Sequence, residues 1–478
     1  MNSEWREVKL EDHVSHKKGF AFKSKDYQTY GIPIVKVKNF TNDSVDITDC
    51  VFVDYEKLND VIGYQLLKDD VVIATVGSWL TNPNSVVGKT VRIPDLNSVS
   101  LLNQNAVRLR AKQSINQKFL YFLLKQDSFK YYIVGTAQGS ANQASITLKD
   151  IFGYTFNLPP LPEQKAIARI LGHLDDKIEL NRKMNQTLED MAQALFKSWF
   201  VDFDPVIDNA LAAGNEIPEA LLVKAEKRKT VFASCHPELV EGKAKQSLPT
   251  DIKSQFPNSF VFNDILNKWI PEGWEVKTLD DVSTIIGGGT PSTKIDEYYC
   301  ENGIPWLSPK DLSGYNWKYI SKGAKDITQL GLQKSSAKLL PKGTVLFSSR
   351  APIGYIAIAE NDVSTNQGFK SLISNKGVPT EYLFQFLKFN ISEIDAVATG
   401  STFKEVSGSA LKGINIIVPH KDVLEELITK VDSINKRSLL NQNQTETLIK
   451  LRDNLLPQLI SGKLKVPEAM LVVEEVIE

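Results

Sequence analysis

The chain reads as an α+β protein. It is expected to hold two pseudo-symmetric mixed α/β domains joined by two long antiparallel helices that form a coiled coil. Two observations carry this. The sequence repeats itself: Trp5 opens W-R-E-V-K-L-E-D-H-V and Trp274 opens W-E-V-K-T-L-D-D-V, Gly31-Ile32-Pro33 recurs as Gly303-Ile304-Pro305, and Asn103-Gln104-Asn105 recurs as Asn366-Gln367-Gly368. The apolar run Phe119 to Lys125 likewise recurs as Tyr382 to Lys388, and Gly139-Ser140 as Gly400-Ser401. Each copy is then followed by a stripe of apolar residues at heptad spacing. Repeats of this size are domains, not the short stacked units of a solenoid.

In chain order, residues 1–160 form the first domain. Val71 to Val76 and Ala106 to Leu109 are β-branched or alternating and read as strands, and Lys118 to Lys130 reads as a helix. Pro159-Pro160-Leu161-Pro162 ends this unit, and 161–204 is the first long helix. Ile167, Leu174, Leu188 and Leu195 recur every seven residues, with Met184 and Met191 assigned to the neighbouring seam, over about 54 Å at 1.5 Å per residue. Residues 205–268 carry five prolines and the basic cluster Lys224 to Lys229, and are expected to be a partly ordered linker. The second domain spans 269–420, with strands at Val345 to Phe347 and Tyr355 to Ile358 and a helix from Glu381 to Phe389. The second long helix, 421–466, carries Leu427, Ile434, Leu448 and Leu455, and 467–478 is a tail. Each stripe has one polar break, Asn181 and Asn441. Aligning these two antiparallel sets every apolar seam residue level with another, so they are candidates for fixing helix register.

The totals bound the function. A chain of 478 residues suits two or three domains. Charged residues at 24% and hydrophobic ones at 42% are ordinary for a globular protein, and no run of 18 apolar residues offers a membrane span. The start lacks the apolar stretch of a signal peptide, so a cytoplasmic location is expected. The three scattered cysteines form no disulfide framework, and the five histidines lack metal-ligand spacing. A net charge of −1 tells against a simple nucleic-acid binder but leaves room for a local basic patch. Catalytic fingerprints are missing. Val87-Gly88-Lys89-Thr90 has Pro83 where a phosphate loop needs glycine, and Gly287-Gly288-Gly289 runs into Thr290-Pro291 without the helix of a dinucleotide site. Leu158-Pro159-Pro160-Leu161 shares only its prolines with amino-methyltransferase signatures.

Polar loops recur in both halves instead. In the first these supply Lys36, Lys38, Asn39, Trp79, Asn103, Gln104, Asn105, Gln138, Ser140, Asn142 and Gln143. In the second they supply Thr290, Ser292, Thr293, Lys294, Lys310, Asp311, Ser348, Ser349, Arg350, Asn366, Gln367, Ser401, Thr402 and Lys404, with Trp306 and Phe403 among them. Arg and Lys suit guanine, and Asn and Gln suit adenine. At any single position the plainer reading is that Ser, Thr, Asn and Gly make turns.

Taken together the motifs resemble a known family. The second half carries G-G-G-T-P-S-T-K, G-I-P-W-L-S-P-K-D-L, V-L-F-S-S-R-A-P-I-G and T-G-S-T-F-K-E-V-S-G-S-A-L-K. The first carries K-K-G-F-A-F-K-S-K-D-Y, L-P-P-L-P-E-Q-K-A-I-A-R-I-L and, at its helix end, L-F-K-S-W-F-V-D-F-D-P. These are similar to the specificity subunits of type I restriction-modification systems over roughly 5–205 and 257–466. The segment Ser234 to Gly242 matches no family motif and looks like an insertion. The resemblance implies a non-catalytic subunit in which each target-recognition domain reads one half of a split site on double-stranded DNA. The helices would set the spacing and dock two methyltransferase subunits, and restriction/translocase subunits would join them. S-adenosylmethionine, ATP and Mg would sit on those partners, with no cofactor in this chain. The competing reading is a single-chain methyltransferase or nuclease with an unrecognised motif. A third is a scaffold whose paired loops bind protein. Methyl transfer by the isolated chain would favour the enzyme.

Overall fold

The computed structural model describes residues 5–79, 86–96, 98–140, 143–234, 250–400 and 404–477. It divides into two compact units: Met1–Leu180 with Gln444–Glu478, and Asn181–Asn443. The boundary runs through both long helices, Leu161–Phe200 and Lys421–Ile460, so each unit contains a globular head and one part of the helix pair.

In the first unit the central sheet orders its strands Val14–Lys18, Ala106–Ala111, Val71–Ala74 and Thr90–Arg92, all antiparallel. A smaller sheet pairs Ile32–Val35 antiparallel with Val51–Val53 and parallel with Leu101–Leu102. A closing pair, Arg6–Lys9 with Thr155–Leu158, ties the chain's start to the entry of the long helix. Val71–Ala74 is buried at every position, as expected of a central strand covered on both faces. The helix expected over 118–130 is two helices, Gln117–Lys125 and Asp127–Thr136, because Gln126 takes an extended backbone between them.

The second unit repeats the plan. Thr284–Gly287, Phe369–Ile373, Val345–Ser349 and Ile353–Ala359 follow the same order, with Tyr319–Ile320 added at the edge. Ile304–Leu307 pairs parallel with Ser364–Thr365, matching Ile32–Val35 with Leu101–Leu102. Glu275–Thr278 and Asn415–Val418 close this head as the first is closed.

Two segments differ from expectation. The stretch 205–268 is built into the second unit wherever it is described. Pro205 starts the helix Asp204–Ala213, where its missing N–H costs nothing, and Val206, Ile207 and Ala210 are buried. The Asn209 amide donates to the carbonyls of Lys253 at 2.8 Å and Phe256 at 2.9 Å, and Arg228 of the basic cluster pairs with Asp208. Cys235 to Gly242 lie outside the described residues. The expected tail forms the helix Val466–Ile477, which buries Ala469 and Val473 in the first unit's core.

The helix seams also differ in part. In the first unit Ile167 and Leu174 share a core with Leu448 and Leu455. In the second Leu195 and Ile434 pack beside the core that holds Leu427. The second buried seam, however, is Leu171, Ile178, Asn185, Ala192 and Trp199, while Met191 is exposed. Its counterpart on the other helix is Leu424, Val431, Ser438, Thr445, Arg452 and Leu459, all buried. Three of these are polar, so a search for apolar heptads passes over them.

Inside the second unit, Asn185 donates to the Ser438 carbonyl at 2.8 Å and Asn441 donates to Asn185 Oδ1 at 2.9 Å. Asn181 reaches the Asn441 carbonyl at 3.5 Å. These contacts run antiparallel, and the amide-to-amide bond joins Asn441 to Asn185 rather than to Asn181. Replacing Asn441 with Leu strands the Asn185 oxygen in a buried seam and is expected to cost about 1–3 kcal/mol. Adding Asn185→Leu should recover part of that loss, because both partners are then apolar. Denaturant midpoints of the two variants check this ordering.

Candidate nucleic-acid interface

In each unit a glycine-led loop crosses the loop that follows the parallel strand. A Cβ on Gly19 would lie 2.0 Å from the Asn103 carbonyl oxygen, and one on Gly288 would lie 2.0 Å from that of Asn366. No larger residue fits either crossing without moving backbone. The first crossing is stitched by Phe20 N–H to the Leu102 carbonyl (2.8 Å) and Gln104 N–H to the Phe20 carbonyl (3.0 Å). In the second, Gly289 N–H donates to the Thr365 carbonyl at 2.8 Å.

On the first unit this presents the half-buried Gln104 and the exposed Asn105 beside Phe20, whose ring meets Tyr64 edge-on at 5.1 Å. Lys17 lies over the Tyr64 ring at 4.7 Å, and Lys36 lies over Tyr27 at 3.9 Å. Nothing in the sequence singles out Lys17, Phe20 or Tyr64 as reading residues. The motif K-K-G-F-A-F holds two of them, but only the fold brings Phe20 to Gln104 and sets Tyr64 against Phe20 and Lys17. Lys38 is exposed and paired with Asp49. The Trp79 indole donates to the Ser140 carbonyl at 2.8 Å, joining two candidates, and Gln138 and Ser140 are exposed.

On the second unit the Thr290 hydroxyl donates to the Gln367 amide oxygen, bringing two candidates together at the surface. Ser292, Lys294 and Lys310 are exposed. Trp306 donates its indole N–H to the Gly289 carbonyl at 2.9 Å and meets Tyr299 edge-on, and Lys325 lies over the Tyr299 ring. Arg350 and Lys370 both reach Glu405 at 3.3 Å, so this carboxylate holds two cations at the loop base. Lys404 pairs with Asp395.

Five candidates are placed where base contact is closed to them; among these, Asn103 is buried with its amide donating to Gln104, and Ser348 is fully buried and donates to the Pro352 carbonyl at 2.8 Å. Ser349 is fully buried in its strand and donates to the Gly368 carbonyl at 3.2 Å. Asn39 is buried, accepting from Lys36 N–H and donating to the Asp49 carbonyl. Asp311 accepts from the N–H and hydroxyl of Ser308 at 2.7 Å and from Ala324 N–H. The last two cap equivalent turns after the Gly-Ile-Pro strands, which is why polar residues recur there. Asn142, Ser401, Thr402 and Phe403 lie outside the described residues.

Among the described residues no three His, Cys, Asp or Glu side chains converge as metal ligands, and no helix is long and apolar enough to cross a membrane. Lys89, of the near-phosphate-loop stretch, is pushed down to about 8 by burial and points at the Phe40 carbonyl.

A buried polar cluster supports the second head. Lys318 bonds Glu381 and the Asn435 amide oxygen at 2.7 and 2.8 Å, and Lys388 reaches Glu189 at 2.9 Å. Burial alone would raise the Glu189 carboxyl, but Lys318 and Lys388 outweigh it and hold it below the usual carboxylate range. The unfolded chain, with its carboxylates near pKa ~4.3, then binds the more protons as pH falls through that value. Stability present above that pH is therefore lost below it. Glu189→Gln is expected to flatten this acid limb of a melting-temperature profile, and an unchanged limb would count against the cluster.

Two copies of one α/β head, each crossing a glycine-led loop with an Asn-Gln loop and carrying part of an antiparallel helix pair, define a duplicated recognition protein. The family model for the type I restriction modification DNA specificity domain matches residues 2–190 and 271–450. The chain belongs to this family, the non-catalytic DNA-recognition subunit of such systems. It is 31% identical over 363 residues to the Type I restriction enzyme HindI specificity subunit of Haemophilus influenzae, covering 73% of this chain and 77% of that one. It is 40% identical over 202 residues to the MjaIX specificity subunit of Methanocaldococcus jannaschii, covering 42% and 46%. A solved type I S subunit from M. genitalium shares 14% identity over 96% of each chain, with a TM-score of 0.48.

Proposed function

We propose that each unit reads one half of a bipartite site on double-stranded DNA, and that the helix pair sets the spacing and docks two methyltransferase subunits. The observation that carries this is the repeated loop crossing, with Gly19 against Asn103 and Gly288 against Asn366. One surface architecture occurs twice with different side chains around it, as two half-sites of different sequence require. Exposed Lys294 and Lys310 in the second unit suit phosphate or guanine, and Gln104 and Asn105 in the first suit adenine. Restriction/translocase subunits complete the complex in the cytoplasm, and S-adenosylmethionine, ATP and Mg belong to the partners.

The test is methyl transfer from radiolabelled S-adenosylmethionine to genomic DNA, by the purified chain alone and with its methyltransferase subunits, followed by sequencing of methylated bases. The expected result is transfer only with the partners, at one split sequence. Transfer by the chain alone would overturn the proposal.

A further inference from the structure

The turn after each Gly-Ile-Pro strand leads to a residue that is tied to the helix pair. Pro33 and Pro305 precede this residue by ten positions, and it is Asp43 in one half and Tyr315 in the other. In the first unit Asp43 Oδ2 meets Arg452 Nη1 of the second long helix at 3.3 Å, and Arg452 meets Asp175 of the first long helix at 2.8 Å. Asp43 also meets Lys125 at 3.0 Å, and its carbonyl accepts from Arg92 N–H. In the second unit Gln442 of the second long helix donates to the Tyr315 hydroxyl at 3.1 Å and to the Tyr319 carbonyl at 2.8 Å. The Tyr315 hydroxyl in turn donates to that same carbonyl. Arg452 and Gln442 are both buried.

We infer that Asp43 and Tyr315 are positioning residues for base reading: each latches the turn of its own head, Lys36–Asn39 or Ser308–Asp311, onto the helix pair. The two latches use different chemistry, an ion pair in one head and neutral hydrogen bonds in the other. What the halves share is the attachment and its place in the chain. A buried ion pair adds little net stability over a well-packed apolar pair, so its better-attested use is to fix one geometry. The turns so held carry Lys36 and Lys38 in one head and Lys310 in the other, and each follows the strand that pairs with the Asn103 or Asn366 loop. A turn that shifts by a fraction of an ångström changes which bases its lysines and the neighbouring loop discriminate, so Asp43 and Tyr315 act without touching DNA themselves.

The inference rests on the two-half-site reading, and the experiment separates the two. The full chain is assembled with its methyltransferase subunits and assayed on the cognate duplex and on duplexes altered at one base pair in either half. Asp43→Asn and Tyr315→Phe keep the shape of each residue, and Gln442→Leu removes the second latch from the helix side. Asp43→Asn is expected to raise methylation of duplexes altered in one half, relative to cognate, by roughly threefold to tenfold. Tyr315→Phe and Gln442→Leu should do the same for the other half only, with melting temperatures recorded alongside. A role in stability alone would lower methylation of every duplex in proportion. That outcome, unchanged ratios, or loosening of the same half by Asp43→Asn and Tyr315→Phe would overturn the inference. A wild-type complex that shows no split site would instead overturn the reading beneath it.

Discussion

Exchanging residues 1–157 for the matching segment of another family member is expected to replace one half of the methylated sequence and leave the other half unchanged. The exchange removes the whole first-unit crossing of Gly19 with Asn103, together with Lys17, Phe20 and Tyr64. It retains the parts of the long helices on which that head packs, through Ile167, Leu171 and Leu174 and through Leu448 and Leu455. The second head keeps every residue of its own crossing. Each wrong base pair in a site costs about 1–3 kcal/mol, so a new set of contacts at several bases abolishes recognition of the old half outright. The graft carries one structural condition. It should bring an acidic or hydrogen-bonding residue to the place of Asp43, or Arg452 loses one of its carboxylates. Sequencing of methylated bases reads the result, and a change in both halves would show that the heads do not read independently.

How far the sequence reached follows from which residues advertise their role. The repeat and the apolar stripe are visible because apolar spacing reports burial directly, and the two long helices meet antiparallel, although the amide of Asn441 bonds Asn185 rather than Asn181. The second seam was not visible, because Asn185, Ser438, Thr445 and Arg452 read as a solvated face until partners bury them. Met191 looked suitable and is exposed, since an apolar side chain carries no information about which neighbour covers it. The prolines of 205–268 suggested a linker, yet Pro205 sits in a helix's first turn. At the interface, Asn39 and Asp311 attracted notice because polar residues recur there, and their side chains are spent on capping turns. Ser349 looked like a loop residue because its strand is buried on both faces and lacks the alternation that marks an exposed side. Phe20 and Tyr64 escaped for the opposite reason. They are far apart in the chain, and only the fold sets them side by side.

Replacing Arg452 with Ala is expected to cost about 3–5 kcal/mol of folding stability, the range for removing one partner of a buried ion cluster. Arg452 is 6% exposed. Burial works against its charge, but Asp43 and Asp175 outweigh burial and hold the guanidinium firmly protonated. Asp175 is nearly as buried, and burial raises its carboxyl even with Arg452 in place to offset part of the effect. Without the arginine, the ion-pair partner left to that carboxylate among the described residues is Arg92, at 3.7 Å. The direction of the pH dependence follows. With its carboxyl raised further, the folded variant binds more protons than the unfolded chain, so its stability falls as pH rises through the raised value. The deficit of the variant against wild type should therefore shrink as pH is lowered, the reverse of the Glu189 effect. Asp175→Asn in the Arg452→Ala background removes the stranded charge and should recover part of the loss at neutral pH while abolishing this pH dependence. Melting curves of the single and double variants from neutral to acid pH decide it. A deficit that stays constant with pH would mean that the loss comes from packing around the arginine stem rather than from the buried carboxylate.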